Sequence, residues 1–164
     1  MRRRVIAAAA LALLAGAACG VGPGSAPGAS GHLRVVRQAG RTSTVLDEPG
    51  RAEYCSPDSI LTIIALGRDR AAGFAARAVL PLAGTVTFDV KPELGGAGTA
   101  TAAFRLPSGS ARLGVSGRLR LTSAGTLEGD FEIALPDSGK IPVRYEGTLS
   151  GIPVRDAPAS CAHP

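Results

Sequence analysis

Tryptophan and asparagine are absent from this chain, histidine occurs twice, cysteine three times, and the aromatic rings amount to four Phe and two Tyr. Each scarcity excludes a chemistry. Sugar-binding platforms stack on Trp and Tyr faces, and most of the six rings here fall at positions that periodicity assigns to a core. The two histidines stand near the ends of the folded part, His32 at its beginning and His163 one residue from the C-terminus. Acid–base catalysis needs a held histidine with an orienting partner, and chain ends rarely supply either. No Gly-x-Ser-x-Gly elbow occurs, and no central histidine is available to activate a serine. No catalytic residue, metal site or cofactor is expected.

The positive net charge of +5 does not point to nucleic acid. Arg2, Arg3 and Arg4 precede an apolar run, and their removal lowers the charge to +2, fifteen basic against thirteen acidic residues. The remaining cations form no cluster with interleaved aromatics, the usual single-strand binding signature. An abundance of Ala, Gly, Pro and Arg with no Asn is the mark of a GC-rich genome rather than of a binding surface.

Residues 1–18 have the form of a targeting segment. Three arginines are followed at 5–18 by Val, Ile, Ala, Leu and Gly alone. As a helix that run spans about 21 Å at 1.5 Å per residue, short of the roughly 30 Å of a bilayer core. A basic start, a short apolar middle and small residues at the end describe a cleavable secretory signal.

The end of the run, Ala15-Gly16-Ala17-Ala18-Cys19, resembles the bacterial lipobox. That resemblance implies cleavage before Cys19, a diacylglycerol on its thiol, and anchoring to the cell envelope at the outer membrane or the outer face of the plasma membrane. Palmitate-type acyl chains would then hold the protein, two or three binding stably where one binds marginally. The plainer alternative is an ordinary signal cut nearby, with Cys19 left as a free thiol. With Cys19 taken by lipid, Cys55 and Cys161 remain as one pair in an oxidising compartment. Such a bridge closes a loop of about 100 residues and contributes about 4–5 kcal/mol in the chain-entropy description. Two unrelated buried thiols are the alternative.

Residues 19–31 form a Gly/Pro/Ser-rich tether, flexible by composition, and residues 32–164 have the size of one domain. Period-two alternation marks that domain as β. In 126–135, Leu127, Phe131, Ile133 and Leu135 share one parity while Glu128, Asp130 and Glu132 share the other. Segments 113–121 and 141–149 alternate likewise, and together the three predict a C-terminal meander. Earlier strands are expected at 33–38, 42–48, 59–66, 84–90 and 99–106. Residues 71–79 fit either a helix or a buried Ala-rich strand. About eight strands with glycine turns imply an all-β, antiparallel sandwich or small barrel.

Turn chemistry and charge suggest a register. Leu121 opposite Leu127 makes a loop of Ser123-Ala124-Gly125 and pairs Arg120 with Glu128 and Arg118 with Asp130. Leu135 opposite Ile141 makes a loop of Asp137-Ser138-Gly139 and pairs Phe131 with Tyr145 and Glu132 with Arg144. Asp130 then faces Glu146, the one unfavourable pair.

Two polar groups are candidates for function. Glu128, Asp130, Glu132 and Glu146 share an outer face, where they could hold a cation or act as paired carboxylates. Interspersed Arg112, Arg118, Arg120 and Arg144 favour a salt-bridged wet face instead. Tyr54-Cys55-Ser56-Pro57-Asp58-Ser59 is dense in polar groups but has the composition of a turn, as does Asp47-Glu48 before Pro49-Gly50.

The expectation is therefore a non-catalytic, membrane-tethered β domain with a binding or structural role. The alternative is a barrel-type carrier of a small apolar ligand, since Ala100, Ala102, Gly117 and Gly129 on the inner parity would leave room inside. Glycines that relieve the bending of a coiled sheet give the same pattern. A membrane partner through lipid and no nucleic-acid partner complete the forecast.

Overall fold

A computed structural model of the chain describes residues 31–38, 43–67, 71–105, 111–136 and 142–157. The targeting segment, Cys19, the tether up to residue 30, the loop residues 137–139, Cys161 and His163 lie outside the described residues. Ten strands follow one another: β1 (Gly31–Gln38), β2 (Ser43–Cys55), β3 (Ile60–Leu66), β4 (Ala71–Arg77), β5 (Thr85–Val90), β6 (Thr99–Arg105), β7 (Ala111–Leu113), β8 (Ser116–Ser123), β9 (Thr126–Leu135) and β10 (Val143–Asp156).

They form one sheet in the order β4-β3-β2-β1-β10-β9-β8-β5-β6-β7, and β4 also pairs with β6. That last pairing, Ala71–Ala76 against Arg105–Ala100, closes nine strands into a barrel. The tenth, β7, leads through Gly114 and Val115 into β8. Their backbone amides bond Ala102 O and Ala134 O, both at 2.9 Å, and steer the chain from β6 to β9. The fold is all-β, and of the two expected architectures it is the barrel.

Pairing is antiparallel around the ring except at two places. β5 and β6 run parallel over Asp89–Thr99 and Val90–Ala100. β10 shifts register between Leu149 and Ile152 and continues past the start of β1 to run parallel with β2, Val154–Asp156 beside Ala52–Tyr54. Ile152 covers the junction: it is fully buried, and a Cβ on Gly50 would lie 2.9 Å from its Cδ1.

Parity explains most strands. Leu33 and Val35 in β1, Leu119 and Leu121 in β8, and Leu127, Phe131, Ile133 and Leu135 in β9 all point into the barrel and are buried. β4 carries no such alternation, because it is buried on both faces: Ala72, Phe74 and Ala76 face inward, yet Ala71 and Ala75 are buried too. A strand enclosed on both sides reads as a continuous run, which is why composition alone left 71–79 open between helix and strand. β2 departs further from expectation. Asp47-Glu48-Pro49-Gly50 does not end the strand; β2 runs through it, leaving β1 for β3 at Gly50. Proline is tolerated where a strand changes neighbours.

Across the lumen the rings meet. Phe74 packs on Phe104 edge-on at 5.7 Å between centroids and on Phe131 at 4.8 Å, while Phe104 lies 6.0 Å from Phe131 and stacks on Tyr145 at 6.5 Å. Strands β4, β6, β9 and β10 are thereby tied together through the core.

The meander is antiparallel as expected, but each hairpin is offset by two residues from the charge-based register. Leu121 pairs with Gly129, not Leu127; Arg120 pairs with Asp130 rather than Glu128, and Arg118 with Glu132 rather than Asp130. Leu135 pairs with Val143, not Ile141; Phe131 faces Gly147 rather than Tyr145, and Glu132 faces Glu146 rather than Arg144. Asp130 faces Thr148, so the unfavourable pair expected there falls at Glu132–Glu146 instead.

A two-residue offset preserves parity, so Phe131 stays buried and Glu132 exposed. Packing decides between the two registers. A Cβ at Gly147 would strike the Phe131 ring and the Arg34 carbonyl, and one at Gly129 would meet the Arg120 carbonyl and the Leu121 side chain. Glycine opposite a large residue lets backbone and ring approach closely, which two bulky residues opposite each other would prevent.

Gly147→Ala is therefore expected to destabilise by about 1–3 kcal/mol through overpacking. Gly96→Ala, where a Cβ meets nothing within 4 Å, should change stability by less than about 0.5 kcal/mol. Denaturant melts of the two variants compare them directly; equal effects would contradict the observed register.

Candidate polar trough on the outer wall

The outward positions of β8, β9, β10 and β1 build a continuous polar surface. β8 contributes Arg118 and Arg120, β9 contributes Glu128, Asp130 and Glu132, β10 contributes Arg144, Glu146 and Thr148, and β1 contributes Arg34 and Gln38. Alternation places them outside for the same reason that it places the leucines and rings inside.

Two shallow concavities flank the acidic row of β9. One, of about 650 Å³, is lined by Thr87, Gly117, Arg118, Arg120, Asp130 and Glu132. The other, of about 630 Å³, is lined by Arg34, Val36, Gln38, Glu146, Gly147 and Thr148 together with Asp130, Phe131 and Glu132. Asp130 and Glu132 belong to both, so the two form one trough with a carboxylate ridge along its middle. The glycines account for it: at Gly117 and Gly147 the absence of a Cβ lets the wall sink toward the core, and long charged side chains rise around the depressions. Gly117 makes a second demand, since its φ of 150° lies in the range that glycine alone adopts readily.

The charges compensate one another. Arg120 donates from Nε and Nη2 to Asp130 Oδ1 at 3.1 and 2.9 Å. This hydrogen bond, with the charge of Asp130 second, holds the guanidinium above its ordinary pKa. Arg144 Nε lies 3.1 Å from Glu132 Oε1, a diagonal contact that survives the shifted register. Gln38 Nε2 donates to Glu146 Oε2 at 3.0 Å. The opposed Glu132 and Glu146 thus each hold a partner of their own. Glu128 turns aside and accepts the Gly151 amide at 2.7 Å.

This is the salt-bridged wet face that the alternation implies. The four carboxylates do not converge, and among the described residues no group of three or more His, Cys, Asp or Glu is placed to hold a metal ion. What the trough offers chemically is a fixed pattern of donors and acceptors for a polar partner.

The other sequence candidates fall elsewhere. Residues 56–59 are a turn: Ser59 N donates to Ser56 O at 3.2 Å, and Ser59 takes a left-handed φ of 53°. Arg77 Nη1 donates to Asp58 O at 2.9 Å and braces it. Cys55 ends β2 with its Sγ 3.5 Å from Asp58 Oδ2. His32 Nδ1 stands 3.5 Å from Asp47 Oδ1, both exposed. Glu48, expected as the last residue of a strand, lies within β2, where it pairs with Leu33 on the inward parity and lies against Gly67.

Arg34, Gln38, Thr87 and Thr148 were not foreseen as part of a site. Arg34, Gln38 and Thr87 lie on β1 and β5, distant in sequence from β9, while Thr148 lies on the next strand, β10; the local signal for each was its outward parity in an expected strand. No family model, curated protein or solved structure matches the chain.

Removing Arg144 leaves Glu132 facing Glu146 without its diagonal cation. Arg144→Ala is expected to destabilise by no more than about 1 kcal/mol, as exposed pairs do. Its effect should be larger at low salt and fade toward about 1 M, where screening acts over only a few ångströms. Urea melts at both ionic strengths check this.

Proposed function

We propose that this chain is an exported lipoprotein, cut before Cys19 and lipidated there, whose barrel serves as a non-catalytic binding module in the cell envelope. The observation that carries the reading is the polarity of the barrel: apolar and ring-filled within, charged without. A barrel that crosses a bilayer has the opposite wall, with apolar side chains outside. Among the described residues no helix is long and apolar enough to cross a membrane. The barrel is therefore suited to water, and location depends on the N-terminal segment. Its polar trough is the surface we assign to a partner.

We also propose that Cys55 and Cys161 form a disulfide. Support comes from the course of β10: Asp156 lies beside Tyr54, and Ala157 N donates to Tyr54 O at 3.0 Å. The chain is then next to Cys55 with four residues to go, a reach of up to about 14 Å. Such a bridge would fasten the C-terminus to the β2–β3 corner.

A second reading, the carrier of a small apolar ligand, is favoured by the closed ring itself and by the small residues Ala72, Ala76, Ala100 and Ala102 facing inward on β4 and β6. The two readings separate on one preparation. Solvent extraction of the protein purified from its native envelope should yield no stoichiometric apolar molecule if the barrel is a binding module, and one per chain if it is a carrier.

The anchor has its own test. Cys19→Ser should abolish incorporation of a labelled fatty acid and release the protein from membranes or leave it as precursor. Maturation and membrane partition like the parent would overturn the lipid assignment. Non-reducing peptide mapping should recover Cys55 linked to Cys161.

A further inference from the structure

Most apolar side chains among the described residues are buried, and two large ones are exposed: Val79, at 73 % of its surface, and Val115, at 40 %. A single exposed valine needs no explanation. Val79 differs in its company and its place. It stands in the β4–β5 connection, Ala78-Val79-Leu80-Pro81-Leu82-Ala83-Gly84, which carries no charge. Ala78 and Leu82 are buried and root the loop in the core, while Val79, Pro81 and Ala83 are exposed.

The loop is held at one end of the barrel. Ala78 N donates to Ser59 O at 2.8 Å, and Leu80 N reaches the Tyr54 hydroxyl at 3.4 Å, so the tip sits beside the β2–β3 turn. The chain enters the barrel toward the same end. β1 is antiparallel to β2 with Gly31 opposite Gly50, so β1 begins on the side toward which β2 runs on to Cys55. Val115 lies toward the other end, its amide bonded to Ala134 O near the end of β9.

We infer that the Val79–Pro81 tip is a membrane contact that sets the barrel's orientation on the bilayer to which it is tethered. This rests on the lipid anchor proposed above. The eleven residues between Cys19 and Gly31 have a root-mean-square span of about 20 Å if they behave as a Gly-rich coil, so the end of the barrel nearest the tether is never far from the headgroups. Contact is then intramolecular, and a small apolar tip suffices where it would not hold a free protein. The charged residues flanking the loop are one of each sign: Arg77 precedes it and donates to the carbonyl oxygens of Asp58 and Gly95 at 2.9 and 2.8 Å, and Asp58 itself stands next to Ser59, whose carbonyl accepts the Ala78 amide. The contact is therefore apolar and needs no anionic lipid.

The absence of tryptophan makes a clean test available. The full lipidated chain carrying either Val79→Trp or Val115→Trp is reconstituted into phosphatidylcholine vesicles with brominated acyl chains. Flotation with the vesicles is measured first, then tryptophan quenching. Val79→Trp should be quenched at least threefold more than Val115→Trp, with blue-shifted emission and little change on adding salt. Because tryptophan itself favours interfaces, Ala83→Trp is read with and without Val79→Asp; the aspartate should abolish quenching while flotation persists. Equal quenching at Val79 and Val115, or quenching of Ala83→Trp unaffected by the aspartate, in protein that floats overturns the contact and leaves the anchor standing. Protein that does not float overturns both.

Discussion

Phe131 on β9 lies opposite a glycine of β10, and much of the barrel depends on that arrangement. Its ring covers Gly147 and meets Phe74 and Phe104 from the far wall, so one side chain on β9 joins the meander to β4 and β6. Those two strands form the seam that closes the ring. Dispersion between rings is weak per atom pair and large in sum, and the rings supply it close to the one slight junction of the ring of strands. The β5–β6 contact, by comparison, is two residue pairs long.

The same constraint shapes the outside. Glycines that admit rings and leucines on the inner face draw the wall inward, and the outer surface is left with depressions bounded by arginine and carboxylate side chains. Core packing and the candidate partner surface are thus two sides of one device. A substitution at Gly147 or Gly117 would disturb both, whereas exchange of one exposed charge disturbs only the surface.

Parity was legible in the sequence, and with it the β class, the meander and the burial of Phe131 against the exposure of Glu132. Register was not, because the outer positions offer several cations and carboxylates at spacings of two. Arg120 finds an acid whether it meets Glu128 or Asp130, so charge matching did not discriminate; the fit of Gly147 under Phe131 did, and it is visible only in three dimensions. β4 hid for a different reason, being buried on both faces and so lacking a period. Closure rests on β4 meeting β6 over an intervening strand, a contact no local pattern encodes. The trough is likewise assembled from β1, β5, β8, β9 and β10, and the primary structure announced the charged positions of β8, β9 and β10 but not those that β1 and β5 bring to them.

The fold is a closed barrel whose meander is set by glycine beneath a ring. Interstrand proton–proton contacts measured by nuclear magnetic resonance on the folded domain address this most directly. The structure predicts backbone contacts of Phe131 with Gly147 and of Phe74 with Ala102, the first fixing the register and the second the closing seam. Contacts pairing Phe131 with Tyr145 across the strands, or none between β4 and β6, would contradict it.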